Sequence, residues 1–213
     1  MEETGLSLKM SSLNYKYRDA ISHLDQQFAH FVTHVLNIGR PVYTEEIPTA
    51  CVTVDLDRAK QGNIGDDFTF AFNPGFADDL EVEDYAFVLS HETMHILLNH
   101  LNLAPRFKDK VRFNIAADCV INDYLIDAGV IASDELMDNL MTGMKNVGYN
   151  CAHSTVGQVY DDLPQDIVDK IGVGMQIDSH DWIHIPEELA RKILGKISDG
   201  ATIPTDLQDI KDD

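Results

Sequence analysis

The stretch from about Val82 to Leu101 is apolar around most of its circumference from Tyr85 onward. A helix of that kind has to be buried on every side, so the rest of the chain must wrap around it. Its middle nevertheless reads Leu89-Ser-His91-Glu92-Thr-Met-His95. Two histidines and a glutamate inside a buried helix need partners, because burial strips them of water. A helix advances about 100° per residue, so His91 and His95 lie on one face. Two imidazoles at that spacing can grip one tetrahedral zinc ion, with Glu92 beside the metal rather than on it. There Glu92 can act as general base, taking a proton from a zinc-activated water and passing it to a leaving amine.

A zinc site that does chemistry needs a third protein ligand and an open position. The next helical stretch, about Lys110 to Ala128, offers Asn114, Asp118 and Asn122 at four-residue steps, with Phe113, Ala116, Ala117, Val120, Ile121, Tyr124 and Leu125 making the rest of its middle apolar. Solvated helix faces favour Lys, Glu, Gln and Arg over Asn and Asp. This short polar stripe therefore reads as buried. Asp118 is the expected third ligand, and Asn114 and Asn122 are expected to hold the ligating groups in place. The rival is His100. On a continuous helix it points about 140° from His95 and about 180° from His91. It reaches the same ion only if the helix breaks near Asn99, where neither Gly nor Pro stands.

Around this pair the elements are mixed. Tyr17, Ile21, Leu24, Phe28, Phe31 and Val35 give an amphipathic helix over about 15–36. Thr49 to Asp55 and Phe68 to Phe72 read as strands. Residues 141–152 read as loop, Thr155 to Leu163 as a short helix, and Glu187 to Ile197 as a helix opened by Pro186. Without repeats or a low-complexity linker, residues 1–197 read as one α+β domain with its core over about 45–185. An acidic tail, residues 198–213, follows.

The formal net charge of −20 opposes binding to nucleic acid or to an anionic membrane, both of which need clustered Lys and Arg. The N-terminal stretch has no apolar core of a signal peptide, and nothing approaches the length of a membrane span, so the cytoplasm is the expected compartment. Cys51, Cys119 and Cys151 have no paired spacing and suggest no disulfide framework. The acidic surface also leaves an alternative function: a non-catalytic binding or inhibitory protein that meets a basic protein partner.

The pair His91-Glu-x-x-His95 with a carboxylate on the next helix is similar to the gluzincin arrangement. There the third ligand is a Glu followed four residues later by an Asp; here Asp118 and Asn122 stand at that spacing. More closely, the chain resembles the metallopeptidase domain of phage and bacterial proteins that often precedes a von Willebrand A-like domain. The matching stretches are Ile47 to Ala50, Phe72 to Phe76, Leu89 to His100 and Asn114 to Asn122, with weaker ones at Thr155 to Tyr160 and Asp178 to Trp182. A stand-alone form of that domain is expected. The resemblance implies a zincin-like fold, with a small twisted sheet packed on the HExxH helix and on a second ligand-bearing helix. It implies a zinc metalloendopeptidase acting on a protein or peptide, aligned along an edge strand of the sheet. Phe68 to Phe72 is the expected edge and Thr49 to Asp55 an inner strand. Within Asp178-Ser-His180-Asp-Trp182, His180 is a candidate to stabilise the oxyanion, with Tyr124 and Tyr160 as rival donors. His30 and His34, with His23 near the same side, could form a second metal site but lack a carboxylate pattern.

Overall fold

The computed structural model describes residues 2–39, 41–54 and 68–174. Helix α1 runs from Glu2 to Ile38 and buries Leu13, Tyr17, Ala20 and Leu24, then Phe31, Val32, Val35 and Ile38. These positions recur at three- and four-residue steps, which makes one apolar stripe. The backbone leaves helical geometry at Phe28 (φ −147°, ψ 54°), so α1 is two segments meeting at a kink. That kink falls between His23 and the pair His30 and His34. Lys16 reaches from α1 to the carbonyls of Ala77, Asp78 and Leu80 at 3.1, 2.6 and 2.7 Å, and so caps the short helix α2 (Pro74–Asp79).

Three strands form the sheet: β1 (Val42–Tyr43), β2 (Ala50–Val54) and β3 (Phe68–Phe72), in the order β1-β3-β2. The expected roles of the two longer strands are therefore exchanged. β3 is central, parallel to β1 and antiparallel to β2, and β2 is an edge, with the two-residue β1 at the other. Phe68, Phe70, Ala71 and Phe72 are all buried, as suits a strand paired on both sides. The exchange has a simple cause. β1 is two residues long, too short to show alternation in sequence, yet it covers the outer side of β3.

Helix α3 (Val82–Leu97) packs against α1, β2 and α5, with twelve residues buried along it, including Glu92 and His95. It stops earlier than its hydrophobic run implies. Asn99 takes the left-handed conformation (φ 57°, ψ 30°), and a new short helix, α4 (His100–Leu103), starts in another direction. Asn is the non-glycine residue that visits this region most readily, so it breaks the helix without Gly or Pro.

A 3-10 turn, Ala104–Arg106, leads to α5 (Lys110–Asp127), capped by Asp109, whose side chain accepts from Arg112 N at 3.0 Å. Gly129 (φ 82°) closes α5, with Val130 N on Leu125 O, the usual left-handed stop. Short helices follow: α6 (Asp134–Asn139), α7 (Gly143–Asn146), α8 (Val156–Asp162) and α9 (Gln165–Gly174). One turn of helix thus interrupts the expected 141–152 loop. Thr155 and Gln158 form a reciprocal capping box on α8. One apolar cluster joins α1, the sheet and α3; a second joins the opposite side of α5 to α8 and α9. Among the described residues no helix is long and apolar enough to cross a membrane. The expected helix at 187–197, the acidic tail and the segment around His180 and Trp182 lie outside the described residues.

Candidate metal centre

Where α3 crosses α5, His91, His95 and Asp118 each offer a ligand atom, and these atoms all lie within 4.8 Å of one another. The Nε2 atoms of His91 and His95 are 3.0 Å apart. Asp118 Oδ1 lies 3.6 Å from the first and 3.5 Å from the second. Ligands about 2.0–2.1 Å from a tetrahedral cation stand about 3.3 Å apart, and the three observed edges bracket that value. Asp118 is 5% exposed, and its Oδ1 has no hydrogen-bond partner among the described residues. A buried carboxylate oxygen left in that state is costly, so a cation between the three atoms would satisfy it. Burial alone would raise the Asp118 carboxyl. The two imidazoles beside it outweigh burial and hold the carboxyl well below the usual carboxylate range. No other group of three such side chains occurs among the described residues.

Hydrogen bonds behind the imidazoles fix which nitrogens face inward. Asn122 Nδ2 donates to Met141 O at 2.8 Å, and a carbonyl can only accept. The amide of Asn122 is thereby oriented, so its Oδ1 faces His91 Nδ1 at 2.8 Å. With a cation bound, His91 would keep its proton on Nδ1 and present the lone pair of Nε2 to the cation. His95 has an analogous support. Its Nδ1 lies 3.0 Å from His100 Nδ1, so a lone pair at His95 Nε2 requires Nδ1–H to donate to His100. The break at Asn99 makes this possible by swinging His100 back toward His95. His100 is fully buried, with its ring edge-on to Phe113 at 5.9 Å between centroids. It meets the nitrogen of His95 that faces away from His91 and Asp118, which places it behind the group rather than in it.

Glu92 is 2% exposed and stands beside the three donors. Its Oε2 accepts from Val52 N on the edge strand β2 at 2.9 Å. That bond ties the sheet to α3 and orients the carboxylate. A cavity of about 250 Å³ opens in front of His91, Glu92 and Asp118. Thr49 and Ala50, at the start of the edge strand β2, form one side, and Leu136, Leu140 and Met141, on and just after α6, form the other. With His91 and Asp118 on its wall and His95 buried behind them, the site keeps room for a water or a substrate atom.

The remaining sequence candidates fall in different places. Asn114 is half-buried one turn before Asp118 on α5. Tyr160 accepts from Asp109 N at 3.3 Å and packs on Phe107; neither it nor Tyr124 lines the cavity. Cys119, beside Asp118, is buried in the second core cluster, where burial pushes its thiol up. His180 lies outside the described residues. The sequence reading did not single out Val52 or the wall at 136–141. Val52 belongs to no motif. The only signal for the wall was a group of apolar residues, Leu136, Met137, Leu140 and Met141, within an otherwise acidic stretch.

Comparison with known proteins agrees with this geometry at the family level. Residues 48–191 match the model of a family described as a putative metallopeptidase domain. No curated protein and no solved structure matches the chain.

Proposed function

The chain belongs to that metallopeptidase domain family, and from this premise we propose that it is a zinc-dependent endopeptidase with a zincin-like arrangement of sheet and helices. The observation that carries the reading is the buried, unsatisfied Oδ1 of Asp118, which converges with the Nε2 atoms of His91 and His95. A structural zinc site is closed by four protein ligands, whereas a catalytic one keeps a position open. Three donors and an adjoining cavity favour the catalytic kind. They also weigh against a purely inhibitory acidic protein, in which the cleft would be capped. Two imidazoles and one carboxylate with a position left open are a donor set that catalytic zinc takes.

Zinc bound there would polarise the scissile carbonyl and lower the pKa of an attacking water to about 7. The chain's own residues do the rest. Asn122 and His100 hold the imidazoles of His91 and His95 in the ligating tautomer. Val52 N–H holds Oε2 of Glu92 and so orients the carboxylate that takes the proton from the attacking water. Glu92 then delivers that proton to the leaving amine. An extended substrate would lie along the edge strand β2, whose alternate backbone groups point away from β3.

The test is Glu92→Gln. The variant is expected to keep its metal and to lose about 10²–10⁴-fold in peptide turnover. Turnover equal to wild type would remove Glu92 from the mechanism.

A further inference from the structure

We propose that the cavity beside Asp118 is a side-chain subsite that selects a bulky apolar residue, of the size of leucine, methionine or phenylalanine, next to the scissile bond. The inference rests on the peptidase reading and adds the class of substrate.

Size comes first. The cavity is about 250 Å³, and an apolar cavity of about 150 Å³ already accepts benzene. The space therefore takes a large side chain with some of its backbone. Chemistry comes second. Apart from Thr49, Asn139 and the three site residues, the lining is apolar, with Phe76, Phe87, Leu136, Leu140 and Met141 among it. Among the described residues no Lys or Arg lines it, so an acidic side chain finds no partner there. Among the described lining residues the only carboxylates are Glu92 and Asp118, both engaged in the site's chemistry, so a basic side chain finds none to spare there. Apolar burial is what the walls can reward.

The third argument is rigidity, because a pocket discriminates best when it is formed before binding. The far wall is tied down at three points. At the start of α6, Ser133 donates from N and Oγ to the carboxylate of Asp84 on α3, at 2.6 and 2.8 Å. At its end Lys145 donates to the carbonyls of Met137 and Asp138, at 3.0 and 2.9 Å. Asn122 holds the carbonyl of Met141, and the same side chain orients His91. Pocket wall and metal-facing imidazole thus share one support.

Two measurements on the full-length, zinc-loaded protein test the subsite. The first is cleavage of a peptide library read by mass spectrometry. Leucine, methionine or phenylalanine is expected at one position flanking the cut, with kcat/KM on the order of 100-fold above alanine there. In Leu140→Asp the preference is expected to move toward lysine and arginine. The second is calorimetric binding of leucine hydroxamate against glycine hydroxamate, with leucine expected at least about 10-fold tighter. Cleavage without apolar preference would overturn the subsite and leave the peptidase reading standing. A protein that cleaves nothing but favours leucine hydroxamate would uphold the subsite and overturn the peptidase reading. Equal or undetectable binding of both hydroxamates would overturn the subsite.

Discussion

His91 and His95 can converge on Asp118 because other residues take up their remaining ring nitrogens. Asn122 is oriented by a backbone carbonyl and in turn assigns the proton of His91. His100 does the corresponding work for His95 across 3.0 Å. Groups in that position govern how well a histidine ligates, and losing one costs about 10–100-fold in metal affinity. His100→Ala is therefore expected to weaken zinc binding by that factor while still binding one ion at saturation. His100→Asn restores an acceptor and should recover part of the loss. Competition with a chromophoric chelator reads both values. Unchanged affinity in His100→Ala would show that His95 needs no such partner. Much of this was legible at the level of single residues. Positions 91, 95, 114, 118 and 122 are set by helical phase, and α3 and α5 are regular through that stretch. The role of His100 was not legible, because it depends on one left-handed residue. The sequence sees Asn99 only as neither Gly nor Pro.

Among the elements, the segment after α5 is organised by a single buried carboxylate. Asp123 Oδ2 accepts from Gly143 N at 3.0 Å and from Cys151 N at 2.6 Å, so it draws both ends of that segment onto α5. Gly143 has to be glycine, since a Cβ would fall on Cys151 Sγ, the Tyr149 carbonyl and Asp123 itself. Burial raises the Asp123 carboxyl; the two N–H donors oppose this, the charge of Asp127 adds to it, and the net direction is upward. The folded protein then holds this proton to higher pH than the unfolded chain does. The associated stability is complete below the ordinary aspartate value and is lost as pH rises through the raised one. Asp123→Asn keeps an acceptor and removes the titration. The stability difference between wild type and variant, from urea midpoints, should change across the carboxylate range and level off above it. A difference independent of pH would contradict the assignment. The strands show the same limit of sequence reading. β2 and β3 were legible by alternation, but their order depends on β1, two residues that carry no pattern of their own.

At the scale of the whole molecule, two apolar clusters meet at α5, and the candidate metal centre sits where α5 faces α3. A cation there would join the helices that carry the two cores, so binding and folding are linked. The net charge of −20 does not explain this arrangement; net charge bears on solubility and sets no fold. The family match, residues 48–191, spans both helices and the turns between them. The most direct measurement of the account is the metal content of protein purified without chelators, by elemental mass spectrometry. Wild type and Glu92→Gln should each carry one zinc per chain, and Asp118→Ala should carry almost none. A wild type without metal, or an Asp118→Ala variant that keeps a full equivalent, would contradict it.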